Sequence, residues 1–122
     1  MDTKVWLSDP EEHDFPAAAD FLQLIFPSAL AESLTEKLRA SETVTKKAKD
    51  ILRASRLPLV AEDNVHVQSN LDKIKSKKKL SPVLLVAGEP LVIADGYHRV
   101  CAIYYLSEDL EIPCRLVHSL EA

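Results

Sequence analysis

Apolar positions fall into two regimes along this chain. Up to about residue 55 they recur three and four apart, the spacing of one helix face. Ala17, Phe21, Leu22, Leu24 and Ile25 follow Pro16 within residues 14–26, and Leu30, Leu34 and Leu38 follow Pro27 within 26–41. Each proline suits a first helical turn, where the missing N–H has no intrahelical acceptor to lose. Val44, Ala48, Ile51 and Leu52 form a third stripe opposite lysines in residues 42–55, and Pro58 ends it. The pattern predicts three short helices, over 14–26, 26–41 and 42–55.

Beyond residue 57 the apolar runs shorten and become continuous. Leu57–Val60 predicts an edge strand. Residues 63–79 predict a helix, with Asp63 or Asn64 as N-cap and Val67, Leu71 and Ile74 at helical spacing. Residues 82–96 hold two apolar runs separated by Ala87-Gly88-Glu89-Pro90, the signature of a β-hairpin. A helix over about 98–106 and a strand over 112–117 complete the order β-α-β-β-α-β. The expectation is an α+β fold in two parts: a helical N-terminal extension, 1–56, packing on the same core, and an α/β domain, 57–122.

Composition narrows the classes of function. With 47% hydrophobic and 28% charged residues among 122, the chain has the balance of a soluble globular domain. The longest apolar runs are too short for a bilayer. Met1-Asp2-Thr3-Lys4 lacks the layout of a secretion leader, so a cytoplasmic protein without a membrane partner is expected. Cys101 and Cys114 stand among apolar neighbours without metal-ligand spacing and predict two buried thiols; no metal site is read from the sequence. The net charge is −4. Residues 1–63 carry 8 Lys and Arg against 12 Asp and Glu, whereas residues 73–79 set five lysines in seven positions. Any polyanion contact would be local, so nucleic-acid binding is expected to be weak or absent.

Gly96, one of only two glycines, stands between a predicted strand and a predicted helix. Such a residue opens backbone conformations closed to others and leaves room where a Cβ would stand. Asp95 is expected to cap the helix. His98 and Arg99 then fall in its first turn, where backbone N–H groups carry roughly half a positive charge. Cations there fit an arriving anion, phosphate above all, with Arg99 as a bidentate fork. Two plainer readings stand beside this one: Arg99 paired with Asp95 four residues earlier, and His98 as a half-buried histidine.

Residues 80–117, with Asp95-Gly96-Tyr97-His98-Arg99 at their centre, resemble the ParB/sulfiredoxin superfamily, and the resemblance extends over roughly 57–118. It rests on a proline-led strand, a hairpin, a Gly-x-His-Arg box opening a helix, and a closing Ile-Pro strand. It implies a small mixed sheet with helices and a nucleotide or phosphate site at Asp95, Gly96, Tyr97, His98 and Arg99. Lys77 and Lys79 would reach distal phosphates, or else solvate a helix end. Tyr97 would stack on a base or cover the core. The implied cofactor is a nucleotide, ATP, ADP or CTP, with Mg²⁺.

Sulfiredoxins carry a catalytic cysteine where this chain has Tyr97, so that activity is not expected. Chromosome-partitioning members continue into a helical DNA-binding domain, which is not expected after the closing strand here. Free-serine kinases of the superfamily have a similar box and an upstream glutamate base, for which Glu62 is the candidate; an enzyme, if one, would be a phosphotransferase. The alternatives to a small phosphate binder are a DNA-associated regulatory protein and a non-catalytic protein that binds a partner through its N-terminal helices.

Overall fold

Val83, Leu84, Leu85 and Val86 are all buried. Successive side chains of a strand point to opposite faces, so a strand apolar at every position must be covered on both. The computed structural model describes residues 4–119 and supplies those two covers. Residues 1–3, part of the stretch read for a leader, and 120–122, the end of the expected second domain, lie outside the described residues.

The described chain is α+β, with five helices and four strands in a mixed sheet: α1 Asp14–Leu22, α2 Ser28–Ala40, β1 Val44–Lys47, α3 Ala48–Ser55, α4 Val65–Lys75, β2 Val83–Ala87, β3 Val92–Asp95, α5 Tyr97–Leu106 and β4 Glu111–His118. The sheet order is β1-β4-β2-β3. β2 and β4 run parallel at the centre, with Val83 opposite Cys114 and Leu85 opposite Leu116. Both edge strands are antiparallel to their neighbours.

On one face α1 and α2 bury Phe15, Ala18 and Leu22, and Ala31, Leu34 and Leu38, against Leu84, Val86, Ala94 and Val117. Each set follows helical spacing, and each fully buried leucine contributes about 1.5–3 kcal/mol. On the other face α3, α4 and α5 enclose Val83, Leu85, Ile93, Ile112 and Cys114. Both cysteines are buried and unbridged. Burial pushes the Cys114 thiol up to about 11. Among the described residues, no helix is long and apolar enough to cross a membrane.

The sequence reading needs correction in three places. The first helix ends at Leu22, not 26, and its buried face is Phe15, Ala18 and Leu22; of the expected stripe, Ala17, Phe21, Leu24 and Ile25 are exposed. The other two places flank α3. The third helix does not start near residue 42: Val44–Lys47 is a strand paired with β4 in the register Val44–Cys114 to Lys47–Glu111. Val44 and Thr45 are β-branched, and pairing to β4 satisfies their backbone better than another helical turn. The buried face of α3 is Ala48, Ile51, Leu52 and Ser55, so three of the four expected stripe positions keep their role. Val44 does not; it is 42% exposed.

The expected edge strand at 57–60 is absent, and the segment is an irregular connector. Its backbone is held by tyrosines of α5 instead. Tyr97 donates its hydroxyl to the Pro58 carbonyl, and Tyr105 donates to the Val60 carbonyl at 2.6 Å. The edge next to β4 is therefore formed by residues 44–47, and a strand from the first half of the chain completes the sheet.

Two buried polar side chains fasten the α1–α2 layer to the rest. Arg115 of β4, 8% exposed, donates from Nη1 to the carbonyls of Leu38 and Arg39 at 3.2 and 2.9 Å. Those groups end α2; the Leu38 carbonyl also accepts from the Ser41 N–H at 3.3 Å and the Ser41 hydroxyl at 2.9 Å. Arg115 Nε donates to Thr43 Oγ1 at 3.1 Å and its Nη2 to Asp9 at 2.9 Å. Asp14, 4% exposed, accepts from the Glu11 backbone N–H at 3.0 Å and from the Ser81 hydroxyl at the approach to β2.

Candidate functional site

β3 ends at Asp95, Gly96 turns the chain, and α5 begins at Tyr97. Gly96 has φ 110° and ψ 16°, in the left-handed region that favours glycine. A Cβ there would lie 2.5 Å from Val83 Cγ1 and 2.9 Å from Arg99 Nη2. Backbone conformation and close packing against β2 both demand glycine.

The residue at the N-cap of α5 is Gly96, and no side chain caps the helix. This corrects the expectation for Asp95. Its carboxylate turns to Arg99, whose Nη2 donates to Asp95 Oδ2 at 2.9 Å. Arg99 also makes a long contact with the Pro82 carbonyl at 3.5 Å. The plainer pairing thus holds for Arg99: it is an internal ion pair with both side chains about four-fifths buried. Burial raises the Asp95 carboxyl above its ordinary range, against the opposing pull of Arg99. Arg99 Nε is buried without a hydrogen-bond partner, a donor left unsatisfied beside the ion pair.

The junction opens into a cleft of about 250 Å³. One wall is residues 95–99. The other is a stripe of α4, His66, Ser69, Asn70 and Lys73, at the 3- and 4-residue intervals that put side chains on one face of a helix. The His66 and His98 rings meet across it with centroids 4.9 Å apart. Burial, and next the neighbouring His66, lowers the His98 pKa. Lys73 has no carboxylate at ion-pair distance among the described residues. Tyr97 packs on the core and spends its hydroxyl on Pro58. Of its two expected uses, covering the core is the one observed.

Asp95, Gly96, Tyr97, His98 and Arg99 thus all line one cleft. Lys77, Lys79 and Glu62 do not. Lys77 follows α4 in a left-handed conformation with φ 61°, and both lysines project from an exposed turn. Glu62 is exposed in the turn before α4, not at a strand end, and its carbonyl accepts from Gln68 Nε2 at 2.6 Å. The lysine that reaches the cleft is Lys73, one helical turn earlier. His66, Ser69 and Asn70 were not singled out from the sequence, because a polar stripe on an exposed helix face is the ordinary solvated pattern.

No protein-family model, curated protein or solved structure matches this chain. The chemistry of the cleft therefore has to be read from its own atoms. Its lining is almost wholly polar, whereas sites for whole small molecules run to about 300–1,000 Å³ and are mostly apolar. The Tyr97 ring packs on the core, which leaves the His66 and His98 imidazoles as the aromatic groups open to the cleft. A magnesium ion finds no free carboxylate in the cleft, since Asp95 is held by Arg99. The residues fit a compact oxyanion such as a phosphoryl group, and they do not fit a complete Mg²⁺–nucleotide.

Two other features are potential sites. A groove of about 490 Å³ between α3 and α5 presents Lys49, Arg53 and Arg56. Each already pairs with a carboxylate: Asp109 at 2.7 Å, Asp50 at 3.2 Å and Glu89 at 2.8 Å. At the start of α1, His13 Nε2 lies 2.9 Å from Glu11 Oε2 and 3.5 Å from Asp14 Oδ1, the one group of three metal-ligand side chains among the described residues. Asp14 is already engaged through Oδ2 by Ser81 and the Glu11 N–H.

Proposed function

We propose that this chain is a ParB/sulfiredoxin-like protein that binds a small phosphoryl group in the cleft between α4 and the start of α5. The observation that carries the reading is the α5 N-terminus. It has no side-chain cap and faces an α4 stripe that brings His66 and Lys73 to the same cleft. Helix N-terminal N–H groups favour anions, and the effect is stronger where water is partly excluded. Arg99 acts as a positioning residue: its charge is balanced by Asp95, and the pair fixes the junction. Lys73 supplies the cation that remains for a ligand.

No reaction is assigned. Of the side chains lining the cleft, Asp95 is the one carboxylate and is already paired; His98 is the one base in the first turn of α5. A role as a polyanion receptor has less support. The α3 groove has its cations paired internally, and the chain carries net charge −4.

Isothermal calorimetry and thermal shift with inorganic phosphate, pyrophosphate, phosphoserine and a nucleotide panel test the reading. Compact phosphoryl ligands are expected to bind, and nucleotides to gain little from the base. Lys73→Ala is expected to weaken phosphate binding about tenfold or more, since a charged hydrogen bond contributes about 1.5–3 kcal/mol. Lys77→Ala, on the exposed turn, serves as the comparison. Equal losses in the two variants, or no binding by any phosphoryl compound, would overturn it.

A second reading has its own observation. Phe21, Leu24 and Ile25 at the end of α1 are 42%, 83% and 49% exposed, a cluster of apolar side chains of the kind that marks protein contacts. A protein partner held at this corner is compatible with phosphoryl binding on the opposite sheet face.

A further inference from the structure

We propose that the facing imidazoles of His66 and His98 act as one proton-dependent receptor for a tetrahedral oxyanion, so that binding in this cleft takes up protons. The inference rests on the phosphoryl-binding reading above and deepens it by naming what regulates the site.

Each ring is the second residue of its helix: His66 follows Val65 in α4, and His98 follows Tyr97 in α5. The first turns of two helices therefore meet here, with ring centroids 4.9 Å apart and planes tilted by 49°. The positive end of a helix dipole disfavours a cationic side chain, and each imidazolium disfavours the other. The pKa of His98 is lowered, first by burial and then by the neighbouring His66. A doubly negative oxyanion reverses both terms. It faces the uncapped start of α5. The first N–H groups of α4 are already taken by Asn64, so that on the α4 side the anion meets the His66 ring. It draws a proton onto each ring, which can then donate a charge-assisted hydrogen bond.

The other charged groups at the cleft are few. Lys73 comes from the same face of α4, Asp95 from the end of β3 and Arg99 from α5. α3 and β2, which also pack on α5, bring no titratable side chain to it. Asp95 is the competing titrating group. Its carboxyl is raised by burial, lowered by Arg99, and also acted on from the start of α1 by Asp14, which raises it, and His13, which lowers it; its protonation at low pH would also favour an anion. The test has to separate that contribution from the two imidazoles.

Sulfate is the probe, because its charge is constant across the histidine range, whereas phosphate has its own second pKa near 6. Calorimetry at constant ionic strength compares about pH 8 with about pH 5.5, the interval in which histidine changes charge. Sulfate is expected to bind about tenfold tighter at the lower pH, with a heat that varies with the buffer's ionisation enthalpy, as proton uptake requires. The His66→Gln/His98→Gln double variant is expected to lose that tenfold gain. Should the double variant fail to fold, NMR titration of the unmodified protein decides: sulfate saturation is expected to raise the His98 pKa.

Measurable sulfate binding equal within about twofold at the two pH values would overturn the inference and leave the phosphoryl reading standing. A double variant that keeps the full gain would assign the effect to Asp95 and overturn it too, as would an unmoved His98 pKa. No sulfate binding at either pH overturns both.

Discussion

At the scale of single residues, Gly96 shows how a correct sequence signal can have more than one cause. A glycine between strand and helix pointed to an unusual backbone, and φ is 110°. That conformation and the nearness of Val83 account for the residue before any ligand is considered. Gly96→Ala is expected to cost about 2–4 kcal/mol in urea unfolding, combining left-handed strain with overpacking against Val83; a loss under about 1 kcal/mol would mean that β2 yields easily. Asp95 and Arg99 were legible as chemistry but not as partners. Four-residue spacing allowed their pairing, while a capping role for Asp95 was equally consistent with the letters. Position 66 was not legible at all. Its meaning depends on α4 lying across α5, and no local pattern encodes that crossing.

At the scale of elements, most of the periodicity carried through. The stripes of α2 and α4 and the hairpin of β2 and β3 lie where apolar spacing put them, whereas α1 stops at Leu22 and buries Phe15, Ala18 and Leu22 in place of the expected Ala17, Phe21, Leu24 and Ile25. Two misreadings, at 44–47 and 57–60, stand on either side of α3 and share a cause. Both segments are four residues long and flank a genuine helix, so intrinsic preference is weak and tertiary pairing decides. β1 wins the open edge of β4, and the tyrosines of α5 hold the backbone of 57–60 in its place. Arg115 belongs to this scale as well, since its guanidinium joins β4 to the end of α2. Arg115→Ala takes the guanidinium donor from the Leu38 and Arg39 carbonyls, of which Leu38 keeps Ser41, and removes the tie between β4 and α2; it is expected to destabilise the fold by about 2–4 kcal/mol in denaturant unfolding. Arg115→Lys is expected to recover only part of this, because an ammonium cannot reproduce the planar fork that reaches the Leu38 and Arg39 carbonyls, Thr43 and Asp9 together. Asp9→Ala is expected to change stability by less than about 1 kcal/mol, because that carboxylate is 72% exposed.

At the scale of the whole molecule, the α+β class was readable because short continuous apolar runs demand cover on two faces, and the helices to provide it were visible in the first half. What the sequence left open was how the halves depend on one another. A division near residue 56 suggested an extension laid against a finished domain, yet β1 pairs with β4, and α1 and α2 cover Leu84, Val86, Ala94 and Val117. A fragment of residues 57–122 would expose those four side chains, leave one edge of β4 unpaired and strand Arg115 without the α2 carbonyls. The charge would stay near the sheet's buried face with nothing to accept its hydrogen bonds, a costly arrangement. The fragment is therefore expected to be aggregated or unfolded by circular dichroism and size-exclusion chromatography, and co-expression with residues 1–56 is expected to restore a soluble complex. A fragment that is monomeric and cooperatively folded alone would show that α1, α2, β1 and α3 are dispensable to the core, and would free their surfaces for another partner. The phosphoryl cleft sits on the opposite face, between α4 and α5, and its α5 wall depends on the first half through the sheet and through α3, which packs directly on α5. Restored solubility and restored phosphate binding should consequently appear together.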